Sequence, residues 1–138
     1  MFEVEFSITA KNSVNQLNRE AGIELFTSKG SGASTRRISD IHTAVFHLGA
    51  MEPRADIPLP GFLNSINAIC FGETQFYYTR IDSLKVVLIY FEPISDDPYR
   101  AYFLFVALVI SGRFNEALSP MGISVPESVG QGAKLTVQ

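Results

Sequence analysis

The spacing of apolar residues changes along the chain, and each spacing predicts one kind of element. Near the start, Phe2, Val4 and Phe6 alternate with polar side chains, which is typical of a strand with one buried face. Residues 84–91 are almost continuously apolar and rich in β-branched and aromatic side chains, so they predict a strand buried on both faces. Similar shorter runs predict further strands at residues 23–27, 41–48 and 76–79, whereas residues 135–137 fit either an edge strand or the fraying end of the chain. We expect the strands at 76–79 and 84–91 to pair as a hairpin.

Two segments in the first half of the chain have apolar residues at helical spacing. Residues 14–21 predict a helix that ends at Gly22, and residues 61–71 predict another that ends at Gly72. Glycine suits both ends because it adopts the left-handed backbone that commonly terminates a helix.

The most apolar segment, residues 98–118, fits either a long helix or a returning buried strand. Asp97 is a good N-cap and Pro98 suits the first helical position. These start signals and the length of the segment favour the helix. Gly112 weakens the centre of such a helix by about 1 kcal/mol relative to alanine, and is where we expect a break. The first half is apolar on nearly every side, so Leu104 and Leu108 need a cover from this domain or from a partner.

The mixture of strands and helices predicts an α+β fold. We expect residues 1–138 to form a single domain, with one mostly antiparallel sheet and two or three helices packed on it. A hydrophobic fraction of 46% with 18% charged residues is normal for a chain with a packed core. Three segments are expected to lack regular structure: a flexible loop at residues 28–39, a proline-rich connector at residues 51–60, and a fraying tail at residues 127–138.

From Gly61 onward, the predicted order is helix, strand, strand, long helix. This order resembles the second half of longin-type and roadblock-type domains, which are small scaffolds used in trafficking and GTPase regulation. The resemblance rests on element order, covers fewer than half the residues, and implies a scaffold that binds other proteins.

Charge and composition narrow the classes of partner. The net charge of −3 comes from 11 basic and 14 acidic residues spread along the chain, which argues against a protein that binds a nucleic-acid backbone. Acidic residues stand where a signal peptide carries basic ones, and the apolar stretch at residues 101–110 is about half the roughly 20 residues that span a bilayer. Cys70 is the only cysteine, which excludes an internal disulfide and suits the cytoplasm.

The residue types that most often act in catalysis all have a structural interpretation here. His42 and His47 lie on the predicted strand at 41–48 and would point to opposite faces, so they do not share a metal; acid or base catalysis by one of them is the alternative. We expect Cys70 to be a buried core thiol and Asp97 to be a helix cap. No cofactor and no metal site is predicted.

The loop at residues 28–39 contains Gly-Ser-Gly followed by Arg36 and Arg37. Arginine side chains beside a glycine-rich backbone suit an anion, although the loop lacks the spacing of a nucleotide-binding P-loop. A plain flexible loop is the other interpretation.

These observations favour a non-enzymatic cytoplasmic module that binds another protein. Small acidic inhibitors of the toxin-immunity and phage anti-defence kinds share this short, motif-free profile. The candidate binding residues are Arg36, Arg37, Tyr102, Leu104 and Leu108. One alternative is a small enzyme or anion-binding domain that uses Arg36, Arg37 and a histidine; another is a subunit of a homo-oligomer.

Overall fold

The structure is a computed structural model that describes residues 2–27, 32–81 and 84–119. Its elements follow the order β1 (Glu3–Phe6), α1 (Ile8–Thr27), α2 (Ala33–Ala50), β2 (Asn67–Phe71), β3 (Thr74–Ile81), β4 (Lys85–Pro93), α3 (Pro98–Ile110) and α4 (Asn115–Leu118). Two short 3-10 turns, Pro53–Ala55 and Gly61–Leu63, lie between α2 and β2.

Four strands form one mixed sheet in the order β1-β4-β3-β2. The β2–β3 and β3–β4 pairs are antiparallel, and only β1 runs parallel to its neighbour β4. The predicted hairpin is confirmed as β3–β4, in which Phe76 lies opposite Phe91 and Tyr77 opposite Tyr90. The predicted α+β fold, with a mostly antiparallel sheet and helices packed on it, is therefore confirmed.

Helices cover both faces of the sheet, and each face has its own core. The α1–α2 core contains Ala10, Leu17, Ile41, Ala44, Leu48, Phe76, Tyr78, Val86, Leu88 and Phe91. The α3 core contains Leu63, Ile66, Tyr77, Val87, Ile89, Phe105, Val109, Phe114 and Leu118. Because β3 and β4 contribute to both cores, their side chains are buried on both sides, as the continuous apolar run in β4 predicted.

The predicted strands at residues 23–27 and 41–48 are wrong, since both segments are helical. Residues 23–27 continue α1, and residues 41–48 belong to α2. The buried residues Ile41, Ala44 and Leu48 are spaced by three and four positions, which is one face of a helix. Helical periodicity thus outweighed the strand preference of the β-branched side chains between them.

The predicted flexible loop at residues 28–39 is wrong for its second half. Gly32 has a φ of 74° and precedes α2, which begins at Ala33. Ser34 is buried, and its hydroxyl donates a hydrogen bond to Glu20 of α1 at 3.0 Å. Contact with α1 therefore holds these small residues in a helix that their composition did not indicate. Residues 28–31 lie outside the described part of the chain.

The predicted helix at residues 61–71 is also wrong. Only Gly61–Leu63 forms a 3-10 turn, and Asn67–Phe71 is the edge strand β2. Ile69 packs against the α1–α2 core and Ala68 against the α3 core, so adjacent side chains point to opposite faces. The element order that resembled longin-type and roadblock-type domains is therefore not the order in the structure.

The helix predicted after Asp97 is confirmed, with a break near Gly112. The Asp97 side chain accepts hydrogen bonds from the backbone N–H groups of Tyr99 at 3.1 Å and Arg100 at 3.2 Å, as an N-cap does. Gly112 has a φ of 83°, a backbone that other residues rarely adopt. The turn at Gly112 directs Phe114 back onto the sheet, where it is fully buried.

The proline-rich connector runs from α2 to β2 and is fastened to the sheet by Asp56. Tyr78 donates a hydrogen bond to Asp56 Oδ1 at 2.8 Å, and Arg80 Nε donates to Asp56 Oδ2. The Arg80 and Asp56 side chains are only 7% and 9% exposed, so this is a buried ion pair. The predicted tail at residues 127–138, with its strand at 135–137, lies outside the described residues.

Candidate functional site

Three of the predicted binding residues lie on α3 but face different surroundings. Leu104 is 53% exposed and therefore uncovered by the described part of the chain. Leu108 is half-buried against the α3 core. Tyr102 is also half-buried, and its hydroxyl donates to the carbonyl of Pro60 at 3.2 Å. Leu108 thus has a cover within this chain, whereas Leu104 does not.

Tyr102 lies at one wall of an apolar groove between the start of α3 and the connector. The groove, called the α3 groove below, has a volume of about 640 Å³. Its lining residues are Leu59, Pro60, Gln75, Tyr77, Pro98, Tyr99, Tyr102 and Phe103. Tyr99 and Phe103 are 77% and 66% exposed at its rim, one helical turn apart. Leu104, next to Phe103 in the chain, is also exposed but does not line the groove.

The floor of the α3 groove carries one polar network. Gln75 Nε2 donates to the Tyr77 hydroxyl at 3.3 Å, and that hydroxyl donates to Glu92 Oε1 at 2.8 Å. Burial and the hydrogen bond to Glu92 raise the pKa of Tyr77 far above its usual value. The phenol therefore stays protonated at neutral pH and presents no charge to the groove.

Carboxylates dominate the charge beside the groove. Asp96 and Asp97 immediately precede α3, and Glu92 lies behind the Tyr77 hydroxyl. Within residues 2–27, 32–81 and 84–119, none of these three carboxylates forms an ion pair with Lys or Arg. Arg100, one turn into α3, is the nearest basic residue along the helix. The groove is thus apolar inside and acidic at one end.

The structure separates Arg36 from Arg37. Arg36 is half-exposed, and its Nε lies 3.4 Å from Glu73 Oε2. Arg37 is half-buried and lines a different groove, of about 270 Å³, along the outer edge of β4. This edge groove is lined by Ser13, Gln16, Leu17, Glu20, Arg37, Tyr90, Phe91, Glu92, Pro93 and Arg113. It shares no lining residue with the α3 groove, so the predicted arginine and α3 residues do not form one site.

The two histidines lie on a helix, contrary to the predicted strand. His42 and His47 are both exposed on α2, and His47 stacks on Phe71 with the ring centroids 5.4 Å apart. Arg37 and His42 are five residues apart on α2, which corresponds to a rotation of about 140° around the helix axis. The two side chains therefore lie on different faces of the helix. In the described part of the chain, no hydrogen bond joins either histidine to Cys70 or to a carboxylate.

Cys70 is exposed on the edge strand β2, so the predicted buried core thiol is wrong. Because β2 lies at the edge of the sheet and has only one strand neighbour, fewer residues surround the Cys70 side chain. Partial burial nevertheless raises the pKa of the thiol, which disfavours a reactive thiolate at neutral pH. Among the described residues there is also no group of three or more His, Cys, Asp or Glu side chains placed to hold a metal ion.

Several groove residues were not predicted from the sequence. Tyr99 and Phe103 had a usable signal, because they follow the capped start of a helix that is apolar on every side. Tyr90 and Arg113 had no such signal in the sequence, because both are far from Arg37 along the chain. The three residues line one groove only because the fold brings them to the same edge of the sheet.

Comparisons with known proteins do not identify a relative of this chain. No protein-family model, curated protein or solved structure matches the chain. Within the described residues, none of the helices combines the length and the apolar character that crossing a bilayer requires.

Proposed function

We propose that this protein is a binding module that engages another protein through the α3 groove. One observation carries the proposal: Tyr99 and Phe103 are exposed one helical turn apart at the rim of an apolar groove, and Leu104, next to Phe103 in the chain, is exposed as well. Large apolar side chains that are exposed singly are ordinary, but a contiguous patch beside a groove marks an interaction site. Aromatic residues at such sites commonly carry most of the binding free energy.

The chemistry of the groove suits a peptide segment with an apolar anchor flanked by Lys or Arg, and we propose such a segment as the partner. The groove interior offers aromatic and proline surfaces to an aliphatic or aromatic side chain. Burying one such side chain contributes about 1.5–3 kcal/mol. Asp96, Asp97 and Glu92 then attract basic residues next to the anchor. A small acidic inhibitor of the toxin-immunity or anti-defence kind is the specific form of this proposal that the net charge of −3 favours.

Selection from a displayed library of random peptides tests the proposal. We expect the native protein to enrich peptides with an aromatic or aliphatic anchor beside Lys or Arg. The variant Phe103→Ser removes a rim side chain without disturbing the core, and we expect it to weaken the selected peptides by about tenfold or more. Phe46→Ser is the matched control, because Phe46 is 73% exposed on α2, on the other face of the sheet.

The charge preference has its own variant. Asp96 is exposed and does not cap α3, so Asp96→Asn removes a negative charge without removing the hydrogen bonds of the cap. We expect it to reduce the affinity for basic peptides two- to fivefold and to flatten the dependence on salt, which screens exposed charges. Equal loss of binding in Phe46→Ser and Phe103→Ser would contradict a site on α3. Self-association that Phe103→Ser abolishes would make a second copy the occupant and overturn the proposed peptide partner.

A further inference from the structure

The outer edge of β4 is only partly covered by β1. The two strands pair from Glu3 opposite Lys85 to Phe6 opposite Leu88, and the chain then turns away into α1. The Ser7 hydroxyl donates to the Ile89 carbonyl at 2.6 Å, and from Tyr90 onward β4 has β3 on one side and borders the edge groove on the other. An uncovered sheet edge next to a cavity is a place where a ligand can approach the sheet closely.

Two arginines from opposite layers of the fold line this groove. Arg37 comes from α2 on one face of the sheet, and Arg113 comes from the turn after α3 on the other face. Within the part of the chain that the structure describes, neither guanidinium forms a hydrogen bond or an ion pair. Two such groups lining one cavity without a carboxylate partner are suited to an anion.

The carboxylates of the groove are already engaged elsewhere. Glu20 accepts from Gln16 Nε2 through Oε1 and from the Ser34 hydroxyl through Oε2, each at 3.0 Å. Glu92 accepts from the Tyr77 hydroxyl at 2.8 Å. These bonds engage both oxygens of Glu20 and one oxygen of Glu92, while the negative charge of both carboxylates stays at the groove. The groove therefore tolerates one added negative charge better than two.

A register shift in the sheet brings Tyr90 to the same groove. Tyr78 pairs with Leu88 and Tyr77 with Tyr90, so Ile89 is an extra residue in β4. Bulges of this kind re-aim the neighbouring side chains. Burial, with a contribution from Glu92, raises the pKa of Tyr90, whereas the charges of Arg113 and Arg37 act in the opposite direction. The Tyr90 hydroxyl is thus a protonated donor within electrostatic reach of both arginines.

A second cavity, with both apolar and polar walls, continues the edge groove toward α2. The adjoining cavity has a volume of about 670 Å³ and shares Leu17, Glu20, Arg37 and Pro93 with the edge groove. Ala33 and Ile94 add apolar surface to its walls, and Ser34 and Glu73 add polar side chains. The combined space is in the range of pockets that hold small organic ligands.

We propose that the edge groove binds a small organic acid, with its carboxylate between Arg37 and Arg113 and its apolar body along Leu17, Pro93 and Ile94. Tyr90 donates a further hydrogen bond to the carboxylate. Phosphate dianions and nucleotides are disfavoured because Glu20 and Glu92 repel the additional charge. The edge groove and the α3 groove share no lining residue, and they are linked through the hydrogen bond from Tyr77 of the α3 groove to Glu92 of the edge groove.

Titration with octanoate, followed by amide chemical shifts in the full chain, tests this inference. We expect saturable shifts at the edge groove, no binding of the neutral isostere octanamide, and no displacement of octanoate by equimolar inorganic phosphate. Arg37→Gln and Arg113→Gln each remove a charged donor and should raise the Kd about 10- to 100-fold. Arg100→Gln is the matched control, because Arg100 is exposed on α3 and lines neither groove.

The conservative variant Arg37→Lys keeps the charge but loses the planar fork, so we expect an intermediate Kd. If Arg37→Gln lowers the melting temperature, Arg37→Lys replaces it as the test variant. Four results would overturn the inference: no octanoate binding at millimolar concentration, equal binding of octanoate and octanamide, tighter binding of phosphate than of octanoate, or the same loss of affinity in Arg100→Gln as in Arg37→Gln.

Discussion

The two faces of the sheet are covered to different degrees. One face lies under α1 and α2, which have 20 and 18 residues. The other lies under α3, with 13 residues, together with the short α4 and part of the connector. Exposed apolar residues on the first layer are scattered singly, as Phe46 is, whereas Tyr99, Phe103 and Leu104 are contiguous on α3. The shorter helix thus carries its exposed apolar residues close together, whereas those of α1 and α2 are far apart.

This difference separates apolar residues that the fold needs from those that it does not. Along α3, Ala101, Phe105 and Val109 are buried at a spacing of four residues and cover the sheet. Phe103 and Leu104, immediately beside them in sequence, contribute little to that core because more than half of each remains exposed. The apolar excess of α3 therefore remains outside the core of the described residues.

The largest effect on the free energy of unfolding is expected from Phe105 of α3, in contrast to Phe103 two residues before it. Phe105 is fully buried and stacks on Tyr77 with the ring centroids 3.9 Å apart. Phe105→Ala should reduce the free energy of unfolding by about 3–5 kcal/mol, because it loses apolar burial and leaves a cavity. Phe103→Ala should change it by less than about 0.5 kcal/mol, as surface substitutions do. Urea denaturation followed by circular dichroism measures both; similar losses would show that the α3 rim belongs to the core.

On the other face, the buried ion pair of the connector should be almost as sensitive. Asp56→Ala leaves the Arg80 guanidinium buried without its partner, which costs about 3–5 kcal/mol. Arg80 Nη1 and Nη2 already lack a hydrogen-bond partner within the described structure, so they offer no compensation. The control is Glu52→Ala at the exposed Arg54–Glu52 pair, where we expect less than about 1 kcal/mol. Equal midpoints of urea unfolding for the two variants would refute a structural role for Asp56.

The smallest expected effect is a loss of stability at alkaline pH, to which one buried tyrosine on each face of the sheet contributes. Burial, reinforced by hydrogen bonds to Glu92 and Asp56, raises the pKa values of Tyr77 and Tyr78, which point to opposite faces. The stability from this tighter proton binding is complete below about pH 10, the pKa of an unfolded tyrosine, and is lost as the pH rises toward the folded values.

The variants Tyr77→Phe and Tyr78→Phe should each cost about 0.5–1.5 kcal/mol at neutral pH and flatten the alkaline loss of stability. Urea unfolding at a series of pH values measures the slope. A slope that neither substitution changes would rule out these two phenols as its source.

Prediction from the sequence succeeded where one local signal dominated. The β3–β4 hairpin, β1, the helix capped by Asp97 and its break at Gly112 all follow from periodicity, capping or turn chemistry within a few residues. It failed at residues 41–48 and 61–71, where propensity and spacing pointed to the wrong element. Pairing with β3 decided the second of these, and burial against α1 and the sheet decided the first.

The candidate sites divide in the same way. Leu104 could be named from the sequence because an all-round apolar helix needs more cover than one sheet face provides. The α3 groove also needs the connector, whose approach through Pro60 is a long-range contact. The edge groove needs β1 to end at Phe6, so that Arg37 and Arg113 meet beside Tyr90.

The fold class, the two central strands and the apolar character of α3 follow from patterns that each segment of the sequence carries alone. Which side chains remain exposed, and which charges share a cavity, follow from the packing of these segments. Those properties depend on the order of strands and the lengths of the covering helices, which bring together residues far apart in the chain.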